Sequence, residues 1–290
     1  MESQIERVAK AQALVPFLTL YLEDRTGVVN FEGTVNHAIA VLNQGADGGV
    51  VCGTTGRGHL LMHDVKINVI RMVGRAKESG RIDPEKVLLA GTGTSDLSEA
   101  CRIAEVADFH GFDGLLVLPP KDCLPSDVRA FYHGLLKRCK QLQTQNPMVV
   151  ILYHHPMLHH DYTISYQLYS ELLLEYGAMI AGVKDSSAKE TVLSSWSLVD
   201  GSRVIVGSDK LIGKALEMGW ANGAIAGTAN TDKGLYWLRS IFDSFNASNK
   251  RGVTVSQVGL TQEVGYMLEG GQEQFINNVT LNRLGTVKEG

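Results

Sequence analysis

The chain has 290 residues, 44% of them hydrophobic and 20% charged, with a net charge of −4. That balance supports a sizeable core and excludes global disorder, and the lack of any Lys/Arg-rich run excludes nucleic acid as the main partner. No apolar stretch reaches membrane-spanning length and no signal-peptide pattern opens the chain, so a cytosolic protein is expected. Cys52, Cys101, Cys123 and Cys139 are widely spaced with no C-x-x-C. They read as reduced, mostly buried thiols.

In chain order, short continuous apolar runs fall at residues 14–20, 49–52, 87–90, 115–118, 149–153, 180–183, 204–206 and 224–226. Segments of helical period lie between them, among others at 65–77, 97–109, 128–142 and 211–218. Runs this short and apolar throughout suit strands covered on both faces, which means a parallel sheet with crossover helices. A weak repeat agrees. "GADGGVV" from Gly45, "GFDGLLV" from Gly111 and "GWANGAIA" from Gly219 each place a glycine after a helix, then a polar turn, then a strand. A helix commonly closes on a residue at positive φ, where glycine fits. Eight strand–helix units over roughly 230 residues match a (β/α)8 TIM barrel. The expected organisation is a barrel core at 1–232, with the last barrel helix and a C-terminal helical extension at 233–290 in the same domain. A doubly wound sheet fits less well, because the glycine-rich turns lack G-x-G-x-x-G with an acidic residue ~20 positions on.

In such barrels the chemistry lies at the carboxyl ends of the strands. Three strand ends stand out. Lys184 closes the sixth apolar run, in "MIAGVKDSS". Partial burial disfavours an ammonium, lowering a lysine pKa by up to ~3–5 pH units, and a neutral lysine amine attacks ketones. The plainer role is a structural lysine ion-paired to Asp185. Tyr153 closes the fifth run, in "VVILYHHP". A phenol there can carry a proton, or serve as a core tyrosine with a satisfied hydroxyl. "CGTTGRG", Cys52 to Gly58, follows the second run. Its backbone N–H groups and the hydroxyls of Thr54 and Thr55 can cradle a carboxylate or phosphate, or the stretch is an ordinary turn. In "GTGTSD", Ser95 or Asp96 caps the next helix. "HHPMLHH" gathers His154, His155, His159 and His160 ahead of Asp161. Its spacing is not that of a helical zinc pair and Pro156 makes it a loop, so a polar active-site loop is expected in preference to a metal site.

Together these motifs resemble the dihydrodipicolinate synthase / N-acetylneuraminate lyase superfamily of Schiff-base aldolases, over about residues 14–230. "GTTG" at Gly53, "LYHHP", "GVKDSS", "VGSD" and "GTAN" carry the resemblance. It implies that Lys184 forms an imine with a 2-oxo acid such as pyruvate, and that Tyr153, relayed through Thr54, moves protons. It also implies that Gly53, Gly56 and Thr55 hold the substrate carboxylate, with no metal or organic cofactor. Ser186, Gly207, Ser208, Asp209 and Ile225 are the further substrate-binding positions it implies, along with a homo-oligomer, dimer or tetramer.

Several positions depart from the synthases within that superfamily. The tyrosine pair after the fourth strand is replaced in "LPPKDC" by Pro120 and Lys121, and the substrate-binding arginine by Leu158. Asp185-Ser186 stands where synthases have Glu-Ala, and "GSD" at Gly207 resembles 2-keto-3-deoxygluconate aldolases. Arg57 departs from both patterns and is read as a solvated charge, with attraction of an anionic substrate as the other reading. The expected activity is reversible cleavage of a 2-keto-3-deoxy sugar acid, or a similar 4-hydroxy-2-oxo acid, to pyruvate and an aldehyde. Three alternatives stay open: condensation of pyruvate with aspartate semialdehyde, a metal-dependent barrel enzyme, and a barrel that binds a 2-oxo acid without turnover.

Overall fold

Eight parallel strands close into a barrel in the order β1 to β8, β1 pairing back to β8. The computed structural model describes residues 3–22, 27–142, 148–159 and 162–269. The strands are β1 (Ala13–Pro16), β2 (Gly48–Val51), β3 (Val87–Gly91), β4 (Gly114–Val117), β5 (Val149–His154), β6 (Ile180–Asp185), β7 (Val204–Val206) and β8 (Gly223–Ile225). Helix α1 (Gln4–Lys10) precedes the barrel. The crossovers are α2 (Phe31–Asn43), α3 (His63–Glu78), α4 (Leu97–Phe109), α5 (Pro125–Gln141), α6 (Tyr166–Tyr176), α7 (Glu190–Trp196), α8 (Ile212–Glu217) and α9 (Asp232–Asn246). Helix α10 (Lys250–Glu269) follows, and residues 270–290 of the expected extension lie outside the described residues.

The strands are apolar on both sides because each side meets core. Inward residues Leu14, Val50, Leu89, Leu116, Ile151, Ile205 and Ile225 fill the barrel. Outward residues such as Val15, Val51, Leu88, Val117 and Leu152 pack under the helices. The repeat glycines do the work expected of them, Gly45, Gly111 and Gly219 having φ of 107°, 68° and 69°. Asp96 caps α4 by accepting the Glu99 N–H at 2.9 Å.

Two features differ from the sequence reading. The first strand ends at Pro16, not at residue 20. Beyond it the Leu18 N–H goes to the Asn230 side chain (3.2 Å) and the Leu20 N–H to the Thr34 hydroxyl (3.0 Å), so this apolar stretch leaves the ladder. Helix α1, absent from that reading, has a Ser3/Glu6 capping box and sends Val8 into the barrel's inner cluster. Arg7 anchors it through Asp113, a buried carboxylate 2.5 Å away that also bonds Lys77 and the Leu88 N–H. The cysteines are all free, but only Cys52 and Cys139 are buried; Cys101 is half-buried and Cys123 exposed.

Candidate active site

Lys184 and Tyr153 are partners in register across β5 and β6 and point into the barrel mouth. Side chains alternate along a strand, so the next residue on each, Asp185 and His154, faces the helices instead. The carboxylate of Asp185 is occupied there by the Ser187 N–H (2.9 Å), the Ser187 hydroxyl (2.7 Å) and the indole N–H of buried Trp196 (2.8 Å). This removes the ion pair that would have made Lys184 merely structural. Lys184 is 3% exposed, and among the described residues it has no carboxylate in ion-pair range. Its Nζ lies 4.1 Å from the centre of the Tyr153 ring.

The Tyr153 hydroxyl connects three strand ends. It is 3.1 Å from Thr54 Oγ1, beyond β2, and accepts from Ser186 Oγ at 3.4 Å, beyond β6. The turn carrying Thr54 is wound tightly: Arg57 N–H donates to the Thr54 carbonyl (3.0 Å) and Gly58 N–H to the Gly53 carbonyl (2.9 Å). It starts from a strained residue, Cys52 at φ 57°. Holding a non-glycine there costs about 1–2 kcal/mol. The Cys52 carbonyl is thereby turned against Gly58, where any Cβ would overlap it. Gly53 and Gly56 are buried within the turn, and Thr55 Oγ1 lies against Gly227, beyond β8. Arg57, expected in solvent, is half-buried, has a left-handed backbone (φ 56°), and acts electrostatically on Tyr21 and His59.

On the opposite side Gly207 donates its N–H to the Asp185 carbonyl (2.7 Å). A Cβ on Gly207 would overlap Ser186 Oγ and stand 2.9 Å from Lys184 Cε, so only glycine leaves room for the lysine stem. Ser208 is half-buried and leads into the turn Asp209–Leu211. Ile225 is a barrel-interior residue beneath the mouth. Asp209 joins two strand ends. Its carboxylate accepts the N–H groups of Gly227 (3.3 Å) and Thr228 (2.8 Å) and the Thr228 hydroxyl.

Burial pushes the Asp209 acid up to about 6 from its ordinary 3.8, against the opposing pull of the Thr228 and Gly227 N–H groups and of Lys184. The folded protein then holds this proton more tightly than the unfolded chain. The associated stability is fully present below pH 3.8 and is lost as pH rises through about 6. The loss amounts to at most about 3 kcal/mol. Urea titrations of wild type and Asp209→Asn across pH 4–7 should therefore diverge by up to that amount, with wild type losing ground as pH rises. Parallel profiles would refute this assignment.

The histidines separate by strand alternation. His154 faces the helices: its Nδ1 accepts the Ile164 N–H (3.2 Å), and its ring meets Trp196 edge-on at 5.4 Å. His155 stacks on Tyr153 at 5.2 Å between ring centres. Burial first, then the charges of Lys184, His59 and His154, push its imidazole down to about 3. His159 packs against Tyr162. Among the described residues no three His, Cys, Asp or Glu side chains gather as a metal site; His160 and Asp161 lie outside them. Leu158 is 37% exposed, and Lys121 is exposed with its N–H on Ser95 Oγ (3.0 Å). Two mouth residues escape a reading from sequence. Lys66, on the inner side of α3, is 3% exposed and donates to the carbonyls of Thr92 (3.2 Å) and Gly93 (2.9 Å). His59 packs its backbone against Gly93.

The arrangement holds a primary amine, a phenol and two hydroxyls within one shielded mouth, beside a tight turn rich in N–H groups. Such a set can form an imine and move protons about it. The sequence pattern of the dihydrodipicolinate synthetase family matches residues 11–260. An uncharacterized DapA-like lyase of Chloroflexus aurantiacus is 28% identical over 236 residues, 79% of this chain and 73% of that protein. A 4-hydroxy-tetrahydrodipicolinate synthase of Methanoculleus marisnigri is 28% identical over 243 residues, covering 81% and 76%. Among solved structures, a variant of Sulfolobus solfataricus 2-keto-3-deoxygluconate aldolase superposes with a TM-score of 0.77 at 19% identity, covering 94% of this chain and 86% of that one.

Proposed function

The chain belongs to the dihydrodipicolinate synthetase family, and we propose that it is a pyruvate-dependent Schiff-base lyase cleaving a 2-keto-3-deoxy sugar acid or similar 4-hydroxy-2-oxo acid to pyruvate and an aldehyde. The observation that carries this reading is Lys184: a buried amine without a carboxylate partner among the described residues, set against the face of a tyrosine.

The turn at Gly53–Gly56, with the Thr55 hydroxyl, receives the substrate carboxylate. Nζ of Lys184 attacks the C2 ketone to give a carbinolamine, and loss of water leaves a protonated imine. The electron pair of the C3–C4 bond moves into that imine as the C4 hydroxyl yields its proton, so an aldehyde departs and an enamine remains. Protonation at C3 and hydrolysis return pyruvate and the free lysine. Tyr153 is the proton carrier, because its hydroxyl sits between Thr54 and Ser186 and its ring touches the amine. General acid–base catalysis of this kind contributes about 10²–10⁴-fold.

Borohydride reduction in the presence of pyruvate, followed by peptide mass mapping, tests the reading. The expected result is a single reduced pyruvyl adduct on Lys184, together with pyruvate release from at least one acid of a 2-keto-3-deoxy and 4-hydroxy-2-oxo panel. An unmodified Lys184 would remove it. Synthase activity has the family relatives' names in its favour, and condensation of pyruvate with aspartate semialdehyde is the assay for it.

A further inference from the structure

A second lysine is buried at the barrel mouth, and the chemistry above leaves it unused. Lys66 sits near the start of α3, on the inner side of the helix, and is 3% exposed. Among the described residues no carboxylate lies within ion-pair range of it, and Glu99, which acts on it from further off, is engaged by the Thr94 hydroxyl (2.6 Å). The Lys66 ammonium donates instead to two main-chain carbonyls just beyond β3, those of Thr92 (3.2 Å) and Gly93 (2.9 Å). Burying an ammonium costs free energy that two carbonyl dipoles return only in part. Helix α3 does not depend on it for anchorage, since Ile70 and Val73 on the same side are fully buried in the core. The charge is better explained by what it does to the end of β3.

That end lies flush against both ends of the turn that carries Thr54 and Thr55. At Gly91 a Cβ would stand 2.5 Å from the Cys52 carbonyl oxygen and 3.2 Å from the Gly53 nitrogen. At Gly93 (φ 50°) it would stand 3.1 Å from the His59 nitrogen and 3.2 Å from the Gly58 carbonyl carbon. The two glycines let the backbones touch. Lys66 closes the circuit from the other side. Its own carbonyl accepts from the Cys52 thiol at 4.0 Å, at the first residue of the turn, while its ammonium holds the β3 end. The Thr92 N–H, bonded to the Leu116 carbonyl (3.1 Å), keeps that end in the barrel wall. The turn is thus gripped between the helix that follows it and the neighbouring strand, with Lys66 linking the two.

We propose that Lys66 is a positioning residue for the reaction. By holding the Thr92 and Gly93 carbonyls to α3 it presses the end of β3 against the Cys52–Gly58 turn, and so sets Thr55 for the substrate carboxylate and Thr54 for the Tyr153 hydroxyl. This rests on the Schiff-base reading and deepens it. The charge matters because hydrogen bonds from an ammonium are roughly twice as strong as neutral ones. Loosening the turn has two separable effects: a displaced Thr55 weakens binding of the anion, and a displaced Thr54 slows proton transfer.

Borohydride trapping at Lys184 is measured with pyruvate and with methyl pyruvate, which has the same ketone and no charge. In Lys66→Met the half-saturating concentration of pyruvate is expected to rise by about tenfold or more, the ratio one charged hydrogen bond supplies. That of the ester should stay within about threefold, because it has no carboxylate to misplace. The limiting trapping rate should fall for both ketones, through Thr54. Lys66→Arg, which keeps the charge and the N–H donors, should bring pyruvate back to within about threefold of wild type. Gly93→Ala tests the same contact with Lys66 intact, since its Cβ pushes the β3 end off His59, and it should reproduce the split between the two ketones. A merely structural lysine would lower the melting temperature and weaken both ketones alike. Equal shifts for pyruvate and the ester in Lys66→Met, or none for either, therefore overturn the proposal and leave the Schiff base standing. Should Lys66→Met fail to fold, equal shifts in Gly93→Ala overturn it in the same way. A wild type that captures neither ketone removes both readings.

Discussion

Lys184→Met is expected to stop turnover while leaving the barrel at least as stable as before. Methionine nearly matches the lysine stem in length and apolar volume, so the space over Gly207 that the stem occupies stays filled. The exchange also removes a polar amine from a site where the side chain is 3% exposed and has no hydrogen-bond or ion-pair partner among the described residues. A buried polar group without a partner costs stability, so the melting temperature should hold or rise. Activity should behave oppositely, because the covalent intermediate loses its nitrogen. A fall of about 10⁴-fold or more in kcat is expected, the scale seen when a covalent nucleophile is deleted. Lys184→Arg separates charge from nucleophile: a guanidinium cannot form the imine, so it should be as inactive as the methionine variant. Pyruvate release with thermal melting on the same preparations checks all three proteins. Residual turnover within a hundredfold of wild type would mean that another group carries the reaction.

That experiment turns on a face assignment, and faces were among the more legible features of the chain. Continuous apolar runs mark strands because both sides of a barrel strand are buried, and eight such runs with intervening helical period can close into one cylinder. Lys184 at the end of one run and Tyr153 at the end of its neighbour therefore pointed to the same mouth. What local pattern cannot carry is a partner distant in sequence. The run at 14–20 reads as strand throughout, yet Leu18 leaves the ladder for Asn230, a residue that only the closed barrel brings near. The Asp209 carboxylate reads as a substrate contact, and nothing in its local pattern reports that it also accepts the N–H groups of Gly227 and Thr228, which only the closed barrel brings near. His59 and His155 are separated by nearly a hundred residues and lie in turns, where no period reports the direction of a side chain. Helix α1 is a different case. Its Ser3–Glu6 capping box was legible, since a serine followed three residues later by glutamate marks a helix start.

The largest stability effect belongs to the residue back to back with the lysine. Asp185→Ala removes a 2%-exposed carboxylate that accepts from the Ser187 N–H, the Ser187 hydroxyl and the Trp196 indole. Trp196 is fully buried, so its N–H has no water to turn to. His154 Nε2, 4.0 Å from the same carboxylate, loses an anion that, among the described residues, opposes the burial depressing this imidazole. Deleting one member of such a buried set costs about 3–5 kcal/mol. At about 2–4 °C per kcal/mol for a domain of this order of size, the melting temperature should drop by about 6–20 °C. Asp185→Asn keeps one accepting oxygen but turns an amide N–H₂ toward the remaining donors, so an intermediate loss is expected. Urea denaturation of the three proteins measures the series, and an alanine variant within 1 kcal/mol of wild type would contradict it. Borohydride capture of pyruvate below the melting transition should survive in both variants, because Lys184 keeps its own face of the strand. It should be slower, because the Asp185 carbonyl holds Gly207 and Ser187 of the following turn sits in the network just broken. Misplacing a reacting nitrogen by about 1 Å costs on the order of a hundredfold in rate. The carboxylate thus acts on the chemistry through position alone, by fixing the strand end from which the amine projects.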